Sequence, residues 1–543
     1  MVAFFQFLIT DMNWPRKYYI FILAVMIVAV GLRLPRLELR PMHGDEAVHA
    51  VRLGELLEKN AYRYDPDEYH GPTLNYFSLI PAWLSGIHTF KDLNEFTIRI
   101  VPVFFGLLLV LMPLPLLRGL GRSATIIAMV MTAISPAFVF YSRYYIPEML
   151  LVCFSFGAIV CGWRYTQSKN IYWALLTGIF LGLMHATKET SIIVFGSMLL
   201  ALLLTLQMNR REISISNAVK TIKRSHIIAA ISAAVVVSML FYSSFFTNPA
   251  GIADSFRTYA TYFNRAGQNN LHVHPWYYYL DILTWMEGFE KTIWNEDLIV
   301  VAAAFGFIVM MVKRYRAPFN LPLLRFLAFY TLIMTIVYSA IPYKTPWCML
   351  GFLHGMILLG AVGAAALIKM SLDWWEKAAV GFILVLFGLL LPVVQAYLLS
   401  YTYYAAPSNP YVYAHPTTDV FDITRRIEEI ARVSPDGNNI YIQVICPAGD
   451  YWPLPWYLRC FPNVGWWSEV DESVQSFPVI IASPSVLPAL SRNLYELLPP
   501  EERMLYVPLF DSYTELRPGV ELCGFVTKDL WDRMLQSKPA GEK

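Results

Sequence analysis

Charge is scarce in this sequence. Asp, Glu, Lys and Arg make up only 15% of its 543 residues, against about a quarter in soluble domains. A chain so poor in charge and so rich in aromatics, also 15%, must contain long segments with no solvated face. Cysteine is scarce too. The six cysteines have no metal-type spacing, which removes the zinc-ribbon and iron–sulfur classes. Cys153, Cys161 and Cys348 lie in apolar stretches as small core residues. Cys446, Cys460 and Cys523 fall in the C-terminal region, where one disulfide is an open alternative. Internal repeats and low-complexity tracts are missing. So is a small-residue cleavage site after the first apolar run, whose basic flank is Arg16 and Lys17, so the first helix is expected to remain uncleaved. The net charge of +2 gives no reason to expect a nucleic-acid partner.

What remains is apolar, at 56% of all residues. A bilayer core about 30 Å thick needs roughly 20 apolar residues per helix. Eleven segments reach or approach that length: 18–34, 96–117, 124–141, 146–165, 171–186, 191–208, 227–246, 298–312, 321–341, 347–368 and 378–399. A twelfth, 74–88, is short and carries Pro81, so it reads as an interfacial or re-entrant helix.

The positive-inside rule orients these spans. With the N-terminus cytoplasmic, the inner loops hold Arg118 and Arg122; Arg164 and Lys169; Arg210, Arg211, Lys220, Lys223 and Arg224; Lys313, Arg314 and Arg316; and Lys369 and Lys377. Counting 74–88 as a span would move the most basic loop outside, so the rule favours eleven. After about residue 399 the long apolar runs stop. Segments 439–445 and 477–482 read as strands, and 418–433 and 499–503 as helical pieces. The expected architecture is therefore an all-α polytopic membrane protein of about eleven transmembrane helices with a large first outer loop. A small C-terminal α/β extracytoplasmic domain follows. The modules divide as 1–400 and 401–543, in the cell (plasma) membrane.

The first outer loop opens with His43-Gly44-Asp45-Glu46. Adjacent carboxylates at a span exit suit a base with a supporting partner, or half of a metal site. They equally suit the N-terminal cap of a helix. A helix from Glu46 to about Lys59 would lie along the interface, with Val48, Val51, Leu53, Leu56 and Leu57 toward lipid. Arg143, Lys188 and Lys344 run against the positive-inside bias at outer span ends, near Glu148, Glu189 and the Pro342–Pro346 turn. Three such cations suit an anionic ligand at headgroup depth; the structural alternative is local pairing, such as Arg143 with Glu148. His70 precedes a Gly-Pro turn, where packing and ligand contact are both open. His272 and His274 share a face if extended, which allows a metal. The Trp276-Tyr277-Tyr278-Tyr279 run that follows fits an interfacial belt or a carbohydrate-stacking lid. His354, inside a span, is expected to be a hydrogen-bonded core histidine.

With these motifs in order, the chain resembles the GT-C superfamily of integral-membrane glycosyltransferases, near the dolichyl-phosphate-mannose–protein mannosyltransferase group. It is most similar to a prokaryotic branch, archaeal and bacterial, of flippase-activity-associated membrane proteins. The resemblance rests on Asp45-Glu46, supported by His70-Gly71-Pro72, Ser142-Arg143-Tyr144, Lys188-Glu189 and Pro342-Tyr343-Lys344-Thr345-Pro346-Trp347. It covers roughly the first 400 residues and the tail around Tyr413-Ala414-His415. It implies inverting transfer of a hexosyl or mannosyl group from a polyprenyl-phosphate carrier to a protein, lipid or glycan acceptor. Asp45 would be the general base and Glu46 its partner, with Lys344, Arg143 and Lys188 on the carrier phosphate. His70, Glu148, Glu189, His272, His274 and Tyr343 complete the candidate substrate contacts. No cofactor is required by this reading, although the Asp45-Glu46 pair also fits a divalent ion (Mg or Mn), which the oligosaccharyltransferases of the superfamily use. Their Trp-Trp-Asp tripeptide is missing: Ser468 follows Trp466-Trp467. The alternative function is a non-enzymatic polyprenyl-phosphate-sugar binding or translocation protein. No intramembrane charge chain supports transport.

Overall fold

The computed structural model describes residues 15–67, 70–210, 221–265, 272–284, 296–312, 319–369, 373–471, 477–497, 501 and 503–537. Every apolar segment named above carries helix. Among the described residues, seven runs are long and apolar enough to cross a membrane: Glu95–Ile134, Glu148–Ser168, Ser191–Asn209, Arg224–Tyr242, Leu321–Ala340, Pro346–Lys369 and Trp374–Tyr401. Ile171–His185 and Asp297–Met311 are shorter apolar helices, and Arg16–Arg33 is the first helix. The 40-residue run is two helices, Glu95–Leu111 and Leu117–Ile134, separated by a 3-10 turn at Leu114–Leu116. Inside the second, Gly121 has φ 76°, a left-handed conformation that glycine adopts without steric cost. The segment 74–88 forms the helix Thr73–Leu84. The basic loop residues Arg211, Lys220, Lys313, Arg314 and Arg316 lie outside the described residues.

The chain partitions into two compact units. The first comprises residues 1–37, 60–86 and 95–413; the second comprises 38–59, 87–94 and 414–543. The expected division at 400/401 assigns the opening of the first outer loop to the membrane module, whereas by contact that stretch belongs with the C-terminal region.

In the first unit, Leu350–Lys369 is enclosed along almost its whole length. Small residues allow this. A Cβ at Gly306 would collide with the Leu359 carbonyl and one at Gly363 with the Ala302 carbonyl, so the helices meet at backbone distance, as membrane helices do. Arg224–Tyr242 is the opposite case. It buries only His226 and Tyr242 and exposes Ile227, Ile228, Ile231, Val235 and Val236, a surface suited to lipid. His354 is buried between Phe138 and Phe156. Its Nε2 has no hydrogen-bond partner among the described residues.

The second unit has a five-stranded sheet in the order β2-β1-β3-β7-β4. β1 (Ile442–Ile445), β2 (Val464–Trp467) and β3 (Val479–Ala482) are parallel; β7 (Cys523–Thr527) and β4 (Tyr506–Pro508) complete it in antiparallel fashion. β5 (Glu515–Arg517) and β6 (Val520–Glu521) form a separate hairpin. β1 and β3 are buried throughout, as strands covered on both faces must be. The helix expected at 418–433 spans Asp419–Val433. Residues 499, 500 and 502 of the expected 499–503 helix lie outside the described residues. All six cysteines are free, which settles the disulfide alternative against pairing. The helix Gly44–Lys59 belongs to this unit and buries Leu53, Leu56 and Leu57. A Cβ at Gly54 would strike Phe90. Leu53, Leu56 and Leu57 thus pack against protein, which corrects the lipid-facing role expected of these three; Val48 and Val51 are half-buried.

Candidate active-site groups

Asp45 and Glu46 stand side by side in sequence and differ completely in environment. Gly44–Lys59 begins after His43, whose Nδ1 accepts from the Asp45 N–H (3.0 Å), while Glu46 Oε2 accepts from the His43 N–H (3.0 Å). This is a capping box closed by a histidine. The other Glu46 oxygen accepts from Arg40 Nη2 (3.1 Å), and the Glu46 side chain is fully buried. Glu46 thus fills the helix-capping role. The Asp45 side chain is 50% exposed. Burial holds the His43 imidazole below its ordinary pKa, against the opposing pull of Asp45 and Glu46. Accepting at Nδ1 fits the same neutral ring.

Within the first unit, the turn before Thr73 and the loop at Thr187 are stitched together. Thr73 N–H donates to the Ala186 carbonyl (3.2 Å) and Thr73 Oγ1 to Thr187 Oγ1 (2.8 Å). Gly71 is pressed so close to Ala186 that no Cβ fits. The stitch brings His70 Nδ1 to 3.0 Å from Glu189 Oε2. Burial alone would raise the Glu189 carboxyl, but His70 and Lys188 outweigh it and hold it at about 2. Lys188 donates to Glu148 in a buried ion pair. Burial would lower the Lys188 ammonium; Glu148 reverses that and holds it above the ordinary lysine value. Glu148 therefore pairs with Lys188 and not with Arg143.

Arg143 binds backbone instead. Its Nη1 donates to the carbonyls of Arg33 (2.8 Å) and Pro35 (2.7 Å) and to Tyr401 Oη (2.9 Å), and Nη2 to the Arg36 carbonyl (2.8 Å). The guanidinium also lies 4.4 Å over the Tyr401 ring. Lys344 Nζ donates to the carbonyls of His274 (3.1 Å) and Ile341. Two partners leave one of its three N–H groups without a bond among the described residues, and burial lowers its pKa. A bridge between Val273 and Tyr343 ties the two loops together. It brings His272 and His274 to the Tyr413 hydroxyl, His274 at 3.4 Å, and sets the His272 ring 4.9 Å from Tyr343.

Among the described residues, Glu46 and the His272–His274 pair are already engaged by protein groups. Both Glu46 oxygens are occupied by an N–H and a guanidinium, and His272 and His274 are joined by a tyrosine. No group of three or more His, Cys, Asp or Glu gathers among the described residues, where Mg²⁺ or Mn²⁺ wants several oxygen ligands.

Arg33, Arg40 and Glu296 were not singled out from sequence. Fully buried, Arg33 donates to the Ala133 (2.6 Å) and Thr132 (2.8 Å) carbonyls, which the Ser135-Pro136 break leaves open. Across that break Glu296 Oε1 accepts from Ser135 Oγ (2.6 Å) and the Ala137 N–H (3.0 Å). Burial pushes its carboxyl up to about 7 despite both bonds. A charge at or beside the end of an apolar run was the available signal for all three.

Residues 80–249 match the family model described as dolichyl-phosphate-mannose-protein mannosyltransferase. No curated protein matches the chain. Among solved structures, ArnT from Cupriavidus metallidurans bound to undecaprenyl phosphate matches at TM-score 0.60 and 14% identity, over 94% of this chain and 98% of that one. The archaeal oligosaccharyltransferase AglB from Archaeoglobus fulgidus, in complex with an inhibitory peptide and a dolichol-phosphate, matches at TM-score 0.54 and 12% identity. That match covers 87% of this chain and 70% of AglB. The Archaeoglobus fulgidus oligosaccharyltransferase tethered with an acceptor peptide matches at 0.55 and 14%, over 84% of this chain and 64% of that one. The fold is that of the GT-C glycosyltransferases. A chain of this fold with these apolar helices is a multi-pass membrane protein.

Proposed function

We propose that this GT-C chain transfers a hexosyl group, of the mannosyl kind, from a polyprenyl-phosphate carrier to an acceptor on the extracytoplasmic side of the cell membrane. Asp45 is the general base. The observation that carries this reading is the unequal treatment of Asp45 and Glu46. One carboxylate is locked into a cap and an ion pair while its neighbour is left half exposed on a rigid helix start. The mannosyltransferase-family match over 80–249 and the GT-C fold support it.

In the reaction the acceptor oxygen attacks C1 of the sugar as the C1–O bond to phosphate breaks. The electron pair leaves with the phosphate, configuration at C1 inverts, and the acceptor proton passes to Asp45. A base of this kind contributes about 10²–10⁴-fold. The leaving phosphate is already anionic, so neutralisation by a cation replaces acid assistance. Of the three outer cations, Lys344 suits that task best, because its partners are neutral carbonyls and it is desolvated without a carboxylate. Lys188, matched by Glu148, and Arg143, bound to carbonyls, shape the surrounding loops. His70, Glu189, His272, His274 and Tyr343 hold those loops in place for substrate.

The test is radiolabelled sugar transfer from defined polyprenyl-phosphate donors to a broad acceptor panel, comparing wild type with a folded Asp45→Asn variant. Transfer that disappears in Asp45→Asn supports the enzyme and the base together. Equal donor binding by both proteins, with turnover by neither, favours a non-enzymatic lipid-sugar binding protein.

A further inference from the structure

The second unit has the strand order at which open parallel sheets recurrently bind ligands. From β1 the chain passes to β2 on one side and then returns to β3 on the other. Ligands of such sheets bind outside the carboxyl ends of the strands, where the order reverses. Here the carboxyl ends are Ile445, Trp467 and Ala482, held level by Cys446 N–H to the Trp467 carbonyl (2.9 Å) and Ser483 N–H to the Ile445 carbonyl (3.0 Å). Immediately beyond β1, Ala448 and Gly449 both take left-handed φ values, 56° and 76°. After that double turn the Tyr451 ring comes against Trp466 of β2.

Three half-buried aromatic rings gather there. Tyr451 lies 4.8 Å from Trp466 and 5.9 Å from Trp452 between ring centroids. Arg517 joins them from the hairpin, donating to the Trp452 carbonyl (2.9 Å) and to Asp450. The same edge meets the start of the Asp45 helix inside this unit. A Cβ on Gly44 would lie 3.7 Å from that of Trp452, and Tyr457 Oη accepts from the Met42 N–H (2.8 Å). Aromatic faces, an ion pair with planar donor and acceptor edges, and a half-exposed carboxylate are thus contiguous.

We propose that this carboxyl edge is an acceptor subsite for a neutral sugar ring, stacked on Tyr451, Trp452 and Trp466 with its hydroxyls on Asp450 and Arg517, beside Asp45. The proposal rests on the glycosyltransferase reading and narrows its acceptor to a carbohydrate. Chemistry selects the class. Flat aromatic faces take the apolar C–H face of a sugar, and a guanidinium–carboxylate pair offers adjacent donors and acceptors to neighbouring hydroxyls. Charge selects against anions: Arg517 with Asp450 and Arg40 with Glu46 cancel in pairs, while Asp45 adds a negative charge.

The full chain in lipid nanodiscs is titrated with mannotriose, maltotriose and cellotriose, and separately with a Ser/Thr-containing peptide, using saturation-transfer NMR and tryptophan fluorescence. At least one trisaccharide is expected to bind. Tyr451→Ala and Arg517→Gln should weaken it about tenfold or more, while Tyr451→Phe retains binding. Should Tyr451→Ala not fold, Tyr451→Leu carries the same expectation, since it keeps bulk without a ring. The proposal is overturned if no trisaccharide binds, or if binding ignores the Tyr451 and Arg517 substitutions. Sugar transfer to the peptide that is indifferent to Tyr451→Ala would sink the subsite and leave the enzyme standing. Trisaccharide binding mapped to Tyr451 without any transfer by wild type would do the reverse.

Discussion

The two units treat charge in opposite ways. In the helical unit many polar side chains are turned onto the backbone. Thr132, Ser155, Ser197, Thr205 and Thr331 bond the carbonyl four residues back, and Arg33 and Arg143 are held chiefly by carbonyl oxygens. In the second unit the charges lie mostly in water. Arg425 with Asp422, Lys528 with Asp532 and Arg533 with Asp529 are helix-surface pairs, each contributing about 0.3–0.5 kcal/mol. The buried Arg40–Glu46 pair is the exception, set directly beside the half-exposed Asp45. A cation at an outer span end is therefore weak grounds for a ligand, since carbonyl oxygens freed at helix breaks can claim it. A carboxylate kept partly in solvent beside a locked twin is stronger grounds.

The sharpest way to break this comparison is to exchange the roles of the twins. Asp45→Asn should reduce transfer about 10²–10⁴-fold with little change in Tm. Glu46→Gln should instead lower stability by about 3–5 kcal/mol, because it strands the buried Arg40. Transfer rates and thermal unfolding of both variants decide it; equal losses of activity at unchanged Tm would erase the distinction. A second contrast lies in the helical unit. Lys188→Met alone leaves Glu148 buried and should cost about 3–5 kcal/mol, whereas Lys188→Met with Glu148→Leu should be close to neutral. Thermal unfolding in detergent checks it, and donor binding by the double variant shows whether Lys188 does more than pair.

The apolar runs made the helices legible, since their length and the missing charges leave few alternatives. The tail strands at 439–445 and 477–482 were legible as short apolar runs beyond the last long one. The partner of each charge was not. Arg143 beside Glu148 in sequence invites a pair, but burial sent Glu148 to Lys188 and Arg143 to carbonyls freed around Arg33–Arg36. The helix after Asp45 shows the same limit. Its apolar stripe reads identically whether it meets lipid or Phe90, because periodicity reports a face and not its partner.

Glu296 offers a pH handle of a few kcal/mol. Its folded pKa of about 7 lies above an ordinary carboxyl near 4.3. Its contribution is therefore fully present below about pH 4 and lost as pH rises through about 7. Glu296→Gln should flatten that decline in a Tm-against-pH series, and an unchanged slope would assign the decline elsewhere. The smallest structural effect expected is at the stitched loops. Gly71→Ala should cost about 1–3 kcal/mol, because a Cβ meets the Ala186 carbonyl; an unchanged Tm would mean the loops part easily. Chelator should leave transfer unaltered, since Glu46 spends both its oxygens on Arg40 and the His43 N–H.

The polypeptide leaves one compact unit for the other after residues 37, 59, 86, 94 and 413. Such interlacing has consequences for inheritance and engineering alike. A fragment beginning at Ala414 would lack the helix that carries Asp45, and one ending there would strand that helix without its sheet. The second unit cannot be swapped between relatives by a single crossover, so the Asp45 helix and the C-terminal sheet must be exchanged together. A chimera meant to exchange this unit would need residues 38–59, 87–94 and 414–543 replaced at once.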